Sequence, residues 1–375
     1  MWKLVLVYAQ NQRLPLSSPR CSVAHECGGC PWIAEDVALQ RGRKLESLRT
    51  QLEMHGLDFP EPSFSAAGSE LGYRNRLRLR VDETGAAVFF NPNKLTNCAV
   101  LDSRLANAVA LLQALGPQPG LAGAEHLELR VGDDGSVGLC VYAAVESQVA
   151  GGVAKRAALR SALPAEWQLG FAGEGELPSL PYYLEESLQA GLGYQVPLSS
   201  FVQVNSAVCR ALVQELRGLV REARLEAFND LYCGSGNFTL PLLVDGLSGE
   251  SFEVDPHAIA ALQRGARLLL GAARSPERRH QALVADARAV SERLEPRALL
   301  LANPPRAGLK LDSGSARALA ACATRNIALC SCSPRSLARD LAQLLPWGFE
   351  IGQLRAFDMF PHTEHLETLA WLERR

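Results

Sequence analysis

Apolar and polar positions change rhythm along the chain. In residues 34–55, AEDVALQRGRKLESLRTQLEMH, apolar positions recur every three to four residues, which predicts an amphipathic helix ending before Gly56. From about Ser69 to Val145 the signals are mostly strand-like, with turns expected at DETG (82–85) and GDDG (132–135). Within that stretch YRNRLRLRV alternates strictly, sending Arg74, Arg76, Arg78 and Arg80 to one face and Asn75, Leu77 and Leu79 to the other. Residues 145–195 mix helical and turn signals around the Gly/Pro-rich GEGELPSLP, where a domain boundary is expected. Beyond it short apolar strands alternate with helical stretches, the pattern of a doubly wound α/β domain whose ligand sits beyond the carboxyl ends of the strands. In AFNDLYCGSGNFTLPLL a strand ending in acidic Asp230 runs into a glycine turn (Gly234, Gly236), where a cofactor can approach the backbone. Glu253, about one βα unit later, can bind ribose hydroxyls. The chain therefore divides into an N-terminal segment (1–68), a β-rich central domain (69–194) and an α/β domain (195–375).

Composition narrows the classes. The chain has 375 residues, 47% hydrophobic and 21% charged, which describes a globular, multidomain protein. A formal net charge of −2 offers no global attraction for nucleic acid, so such a partner must be held locally. The Arg74–Arg80 stripe and the basic run from Arg264 to Arg279 are the candidates, although the stripe reads equally well as a solvated sheet face. The apolar run of MWKLVLVYAQNQ is too short for a signal peptide, and no segment reaches the ~20 apolar residues of a membrane span. A cytoplasmic protein without a membrane partner is expected. Ten cysteines in a reducing compartment point to metal binding or catalysis. Three of them, Cys21, Cys27 and Cys30, crowd into CSVAHECGGCPW with no fourth ligand nearby. The residues alone leave zinc and a metal–sulfur cluster both open, zinc being the first choice.

Ordered blocks then carry a resemblance. CSVAHECGGCPW, GYRNRLRLRV, NCAVLD, SFVQVNSAV, DLYCGSGNFTLPL, NPPRAGL, LCSCSPRSLARDL and FDMFPHTEHLE together resemble the RNA (uracil-5-)methyltransferases that use S-adenosylmethionine. NPPR and DMFPHTxHxE resemble the iron–sulfur subgroup that methylates 23S ribosomal RNA. The first cysteine lies twenty residues into the chain, so the extra N-terminal RNA-binding β-barrel of some relatives is not expected. The resemblance implies a Rossmann-like methyltransferase domain after a β-rich RNA-binding domain, with a [4Fe–4S] cluster on Cys21, Cys27, Cys30 and Cys98. It implies S-adenosylmethionine binding by Gln203, Tyr232, Glu253 and Asn303.

The chemistry explains why a cysteine is needed. Uracil C5 attacks a methyl sulfonium poorly until a thiolate adds at C6 and makes an enolate; a base then removes the C5 proton and the thiol is eliminated. The resemblance places the nucleophile at Cys332, with Cys330 two residues earlier as the competitor, and the base at Glu367, with Glu364 and His365 as competitors. Two departures stand out: Ser333 where the family has asparagine, and Ser251 where it has glycine two residues before Glu253. An RNA loop suits the substrate better than a duplex, because the base must leave its stack. A monomer acting on 23S ribosomal RNA is the expectation. A transfer-RNA uridine, or a non-catalytic RNA-binding iron–sulfur protein, are the alternatives.

Overall fold

The computed structural model describes residues 20–22, 24–65, 68–88, 98–143, 152–173, 177–183, 193–271, 280–290 and 294–375. The first segment holds a short helix α1 (Ala24–Cys27), the expected amphipathic helix α2 (Val37–Met54) and an edge strand β1 (Ser63–Ser65). Asp36 caps α2 by accepting from the Ala38 amide at 2.8 Å. The buried face of α2 is Val37, Gln40, Lys44, Leu48 and Leu52, the helical spacing expected but with two polar members.

The central part contains β2 (Arg76–Val81), β3 (Ala87–Val88), α3 (Ser103–Leu115), β4 (Ala124–Val131), β5 (Val137–Ala143), α4 (Gly152–Ala162), β6 (Gln168–Phe171), β7 (Ser179–Tyr183) and β8 (Gly193–Pro197). Five strands form one sheet in the order β3-β2-β4-β5-β6, and β7 and β8 pair as a hairpin. The turns at 82–85 and 132–135 fall where expected, between β2 and β3 and between β4 and β5. Helix α3 lies inside the stretch read as mostly strand-like. Its Leu105, Ala108, Val109 and Leu112 pack in the same core as Leu77, Leu79, Leu127 and Leu129 of the sheet. Arginines alternate out of β2 as its period demands: Leu77 and Leu79 are buried, Arg78 and Arg80 exposed.

The last part is α5 (Ser206–Glu222), β9 (Ala227–Leu231), α6 (Thr239–Val244), β10 (Ser248–Glu253), α7 (Pro256–Leu270), β11 (His280–Val284), α8 (Ala287–Val290), β12 (Arg297–Ala302), α9 (Ser313–Cys322), β13 (Ala323–Ser331), α10 (Pro334–Leu344), β14 (Phe349–Phe357) and β15 (Glu367–Arg374). Its eight-stranded sheet runs β1-β14-β15-β13-β12-β9-β10-β11. The strands from β13 to β11 are parallel, and β15 enters antiparallel between β13 and β14. The α/β methyltransferase fold expected of this domain is present, as a large mixed sheet. Strand β1 completes its edge against β14, and Leu48 and Leu52 of α2 share a core with Leu337 and Leu341 of α10. The N-terminal segment is thus built into the C-terminal domain.

Candidate active site

Strand direction gathers the candidate residues. Because β9, β10, β12 and β13 are parallel, their carboxyl ends, followed by Tyr232, Glu253, Asn303 and Cys332, meet at one edge of the sheet. Because β15 is antiparallel to β13, its first residue, Glu367, lies at the same edge, with Thr368 opposite Ser331.

On the β9–β10 side, the turn after β9 is built by residues with positive φ: Tyr232 (61°), Gly234 (54°) and Gly236 (101°). A side chain at Gly236 would start 2.6 Å from Leu262, whereas the space beside Gly234 is open. Tyr232 holds a left-handed conformation that few non-glycine residues adopt, as backbones at binding sites often do. The Glu253 carboxylate accepts from the amides of Gly234 (3.2 Å), Val254 (2.7 Å) and Asp255 (3.1 Å), which ties the end of β10 to the glycine turn. Half-buried Asn303 donates its amide to the Leu231 carbonyl at 3.3 Å, closing the ends of β12 and β9 together. Gln203 is buried next to Asn237 of the glycine turn, both lining a cavity of about 20 Å³ with Tyr182, Tyr194 and Cys209. Asn237 itself accepts from the Tyr194 hydroxyl at 3.0 Å.

Beneath the turn lies Asp230, fully buried, its carboxyl pushed up to about 7 by burial against the pull of a 2.6 Å bond from the Thr239 hydroxyl. The contact continues from Thr239 to Ser251 (2.8 Å) and from Ser251 to His280 (2.9 Å), whose imidazole burial pushes down to about 4. The serine that replaces the family's glycine is therefore the middle link of a buried polar chain.

On the β13–β15 side, Glu367 is only 2% exposed, and burial pushes its carboxyl up to about 8. Cys332 is half-buried; burial raises its thiol to about 11, the Glu367 charge adds to the rise, and Arg306 opposes it. Cys330 is sealed in the core, whereas the strand has ended before Cys332. Glu364 is exposed, and the His365 ring meets Phe360 edge-on. Ser333 caps α10 by accepting from the Ser336 amide at 3.3 Å. Serine and asparagine are equally good at that task, which accounts for the departure from SCN. Arg306 carried no role in the sequence reading. The signal was its place in NPPR, directly after the end of β12.

The four cysteines expected to hold metal are neighbours. Cys21, Cys30 and Cys98 pack around Ile33, Tyr73 and Val100, and a Cβ on Gly29 would meet Cys27 Sγ at 3.3 Å. The Cys30 thiol is raised to about 11 by burial and then by Cys98, Cys27 and Cys21, with Arg74 opposing. Half-buried thiols suit a thiophilic metal or cluster in type. No three described His, Cys, Asp or Glu side chains are arranged to hold a metal ion as they stand.

The basic stripe is partly used internally. Arg76 donates to Glu128 at 2.6 Å, Arg130 pairs with the same carboxylate, and the Arg76 guanidinium lies 5.4 Å from the centre of the exposed Phe201 ring. Arg78 and Arg80 point outward. Much of the second basic run, 272–279, falls outside the described residues. Among the described residues no helix is long and apolar enough to cross a membrane.

Comparison with known proteins converges on one family. The tRNA (Uracil-5-)-methyltransferase family model matches residues 294–375. The chain is 30% identical over 371 residues to the 23S rRNA (uracil(1939)-C(5))-methyltransferase RlmD of Edwardsiella ictaluri, covering 95% of this chain and 82% of that protein. It is 29% identical to the 23S rRNA (uracil(747)-C(5))-methyltransferase RlmC of Shigella boydii, over 94% of this chain and 98% of that one. The fold is similar to the crystal structure of Pyrococcus abyssi tRNA (uracil-54, C5)-methyltransferase in complex with S-adenosyl-L-homocysteine, with a TM-score of 0.65 at 19% identity over 92% of this chain and 85% of that one. At 30% identity over 95% of its length to one such enzyme, the chain belongs to the RNA (uracil-5-)methyltransferase family.

Proposed function

We propose that this enzyme transfers a methyl group from S-adenosylmethionine to C5 of a uridine in 23S ribosomal RNA, with Cys332 as nucleophile and Glu367 as base. The observation that carries the reading is the meeting of a half-buried cysteine and a buried carboxyl at the edge where the glycine turn also lies. Cys332, as the thiolate, adds to C6 of the target uracil, and C5 takes the methyl group from the sulfonium, leaving S-adenosylhomocysteine. Glu367 then accepts the C5 proton, and the C6–S bond breaks to return the thiolate and the 5–6 double bond. A carboxyl raised to about 8 is basic enough to share that proton near neutral pH, which an ordinary carboxylate is not. Arg306 is placed to favour the thiolate.

The donor supplies an electrophilic methyl group when bound. Tyr232, Glu253, Asn303 and Gln203 would hold it, Glu253 through the ribose hydroxyls. Cys21, Cys27, Cys30 and Cys98 would hold a [4Fe–4S] cluster that ties the N-terminal segment to the central domain through Cys98, a structural role. RNA would lie across the outward arginines of β2. Ribosomal RNA is favoured over transfer RNA because the chain is 29–30% identical to the 23S enzymes and 19% identical to the transfer-RNA enzyme. Mapping 5-methyluridine in ribosomal and transfer RNA from a deletion strain tests this. Loss of one 23S site supports the reading, and loss confined to transfer RNA overturns it.

A further inference from the structure

The most unusual polar groups in the protein are not at the sheet edge but on the buried face of α2. Gln40 and Lys44 are 0% and 1% exposed, on a helix whose other inward residues are Val37, Leu48 and Leu52. Lysine and glutamine are rarely buried without a purpose that uses their hydrogen bonds. Here the hydrogen bonds of the Lys44 ammonium, and half of those of the Gln40 side chain, go to one distant segment, residues 358–366, which joins β14 to β15 and leads into Glu367.

Lys44 Nζ donates to Asp358 Oδ1 at 2.6 Å and to the Phe360 carbonyl at 3.0 Å, and Arg41 donates to the other oxygen of Asp358 at 3.1 Å. The Gln40 amide oxygen accepts from the His362 amide at 2.9 Å, and its nitrogen lies 3.2 Å from His362 Nδ1. That nitrogen also donates to the carbonyls of Trp32 (2.8 Å) and Glu35 (3.0 Å). Trp32 in turn donates its amide to the His362 carbonyl at 3.1 Å. His362 is fully buried with φ at 67°, a conformation that costs a non-glycine residue energy and persists only where its surroundings hold it. Gln40 and Trp32 hold the amide and the carbonyl of that one residue.

We infer that Gln40 and Lys44 are positioning residues for Glu367, fixing the segment that delivers the base to the site. This inference rests on the reading of Glu367 as the base. The bonds lie at the start and the middle of the segment. Asp358 directly follows Phe357, the residue opposite Glu367 in the β14–β15 register, and His362 sits midway to Glu367. Releasing the His362 peptide lets the segment relax to an unstrained turn and moves the start of β15. Cys332 and the glycine turn hang on β13 and β9 and touch none of these bonds. The device therefore acts on proton removal and leaves addition and methyl transfer alone.

The test is a single-turnover experiment on the full-length protein with uridine-containing RNA and methyl-labelled S-adenosylmethionine. It follows two events separately: label entering RNA, and methylated RNA released from its covalent link to protein. Gln40→Met keeps the side-chain length and removes the hydrogen bonds. It is expected to leave label entry within about threefold of wild type and to slow release by about 10- to 100-fold, the size expected for a misplaced catalytic group. A methylated covalent complex then accumulates. Arg41→Gln, at a partly exposed position, should do the same more weakly, and it serves if Gln40→Met folds poorly. S-adenosylhomocysteine affinity reports an intact fold in each variant. Label entry and release falling by the same factor, or neither changing, overturns the inference. Glu367→Gln that releases methylated RNA at the wild-type rate removes the base itself, and with it both readings.

Discussion

Two carboxylates at the same sheet edge live in opposite surroundings. Glu253, at the end of β10, is wrapped by three backbone amides and sits beside open space at Gly234. Glu367, at the start of β15, is buried beside the thiols of Cys330 and Cys332, and burial pushes its carboxyl up to about 8. The first environment fixes the carboxylate in place through backbone donors, as suits a group that positions a ribose. The second disfavours the anion, which gives the group an appetite for a proton. Environment rather than residue type divides the labour of binding and base. The buried Asp230 beneath the turn is raised too, but its Thr239–Ser251–His280 chain keeps it away from the edge where Cys332 lies.

The comparison can be broken in several places. Cys332→Ala is expected to remove methyl transfer below detection and to prevent any covalent RNA complex, as measured on denaturing gels. Replacing Cys30 or Cys98 by serine should strip iron that otherwise stands at about four per chain in anaerobic preparations; stoichiometric zinc with no iron would point to the four-thiolate zinc site instead. Glu253→Ala should weaken S-adenosylmethionine binding by about 10- to 100-fold in calorimetry, the size of losing hydrogen bonds to a charged group.

Glu367 gives a pH signature. A base with a raised carboxyl works only when deprotonated, so the single-turnover rate should rise with pH through about 8, by about tenfold between pH 7 and pH 9, and the Cys332 thiol adds slope in the same direction. Stability runs the other way. The folded-state value lies above the ordinary 4.5, so the stability this carboxyl contributes is full below 4.5 and is lost as pH rises to about 8. Glu367→Gln should therefore melt about 5 °C above wild type at pH 9, with the gap closing toward pH 5. The smallest effect is expected at the arginine stripe. Arg78→Ala should flatten the salt dependence of RNA binding by a little under one unit of slope, about 0.7 to 0.9. Arg76→Ala should do less to that slope, since its charge already meets Glu128.

What could be read from the sequence was what depends on neighbours in the chain. Helix α2 declared itself by its spacing, and the strand that ends just before Cys332 by its apolar run. Helix α3 escaped because it sits among strands, though Asp102 as a cap and Leu105, Ala108, Val109 and Leu112 at helical spacing were there to be counted. Long-range pairing could not be read. Nothing local says that β1 joins β14, or that Lys44 on an apparently ordinary amphipathic helix has its counter-ion at Asp358. Ser251 looked like a mere departure until His280 stood beside it.

The central claim is that Cys332 forms the covalent bond. The most direct measurement is mass spectrometry of the peptide cross-linked when wild-type protein, S-adenosylmethionine and RNA containing 5-fluorouridine are combined. Fluorine cannot leave as a proton does, so the intermediate is trapped after methyl transfer. The account predicts a methylated 5-fluorouridine adduct on the peptide containing Cys332, absent in Cys332→Ala. An adduct mapped to Cys330, or one that persists in Cys332→Ala, would contradict it.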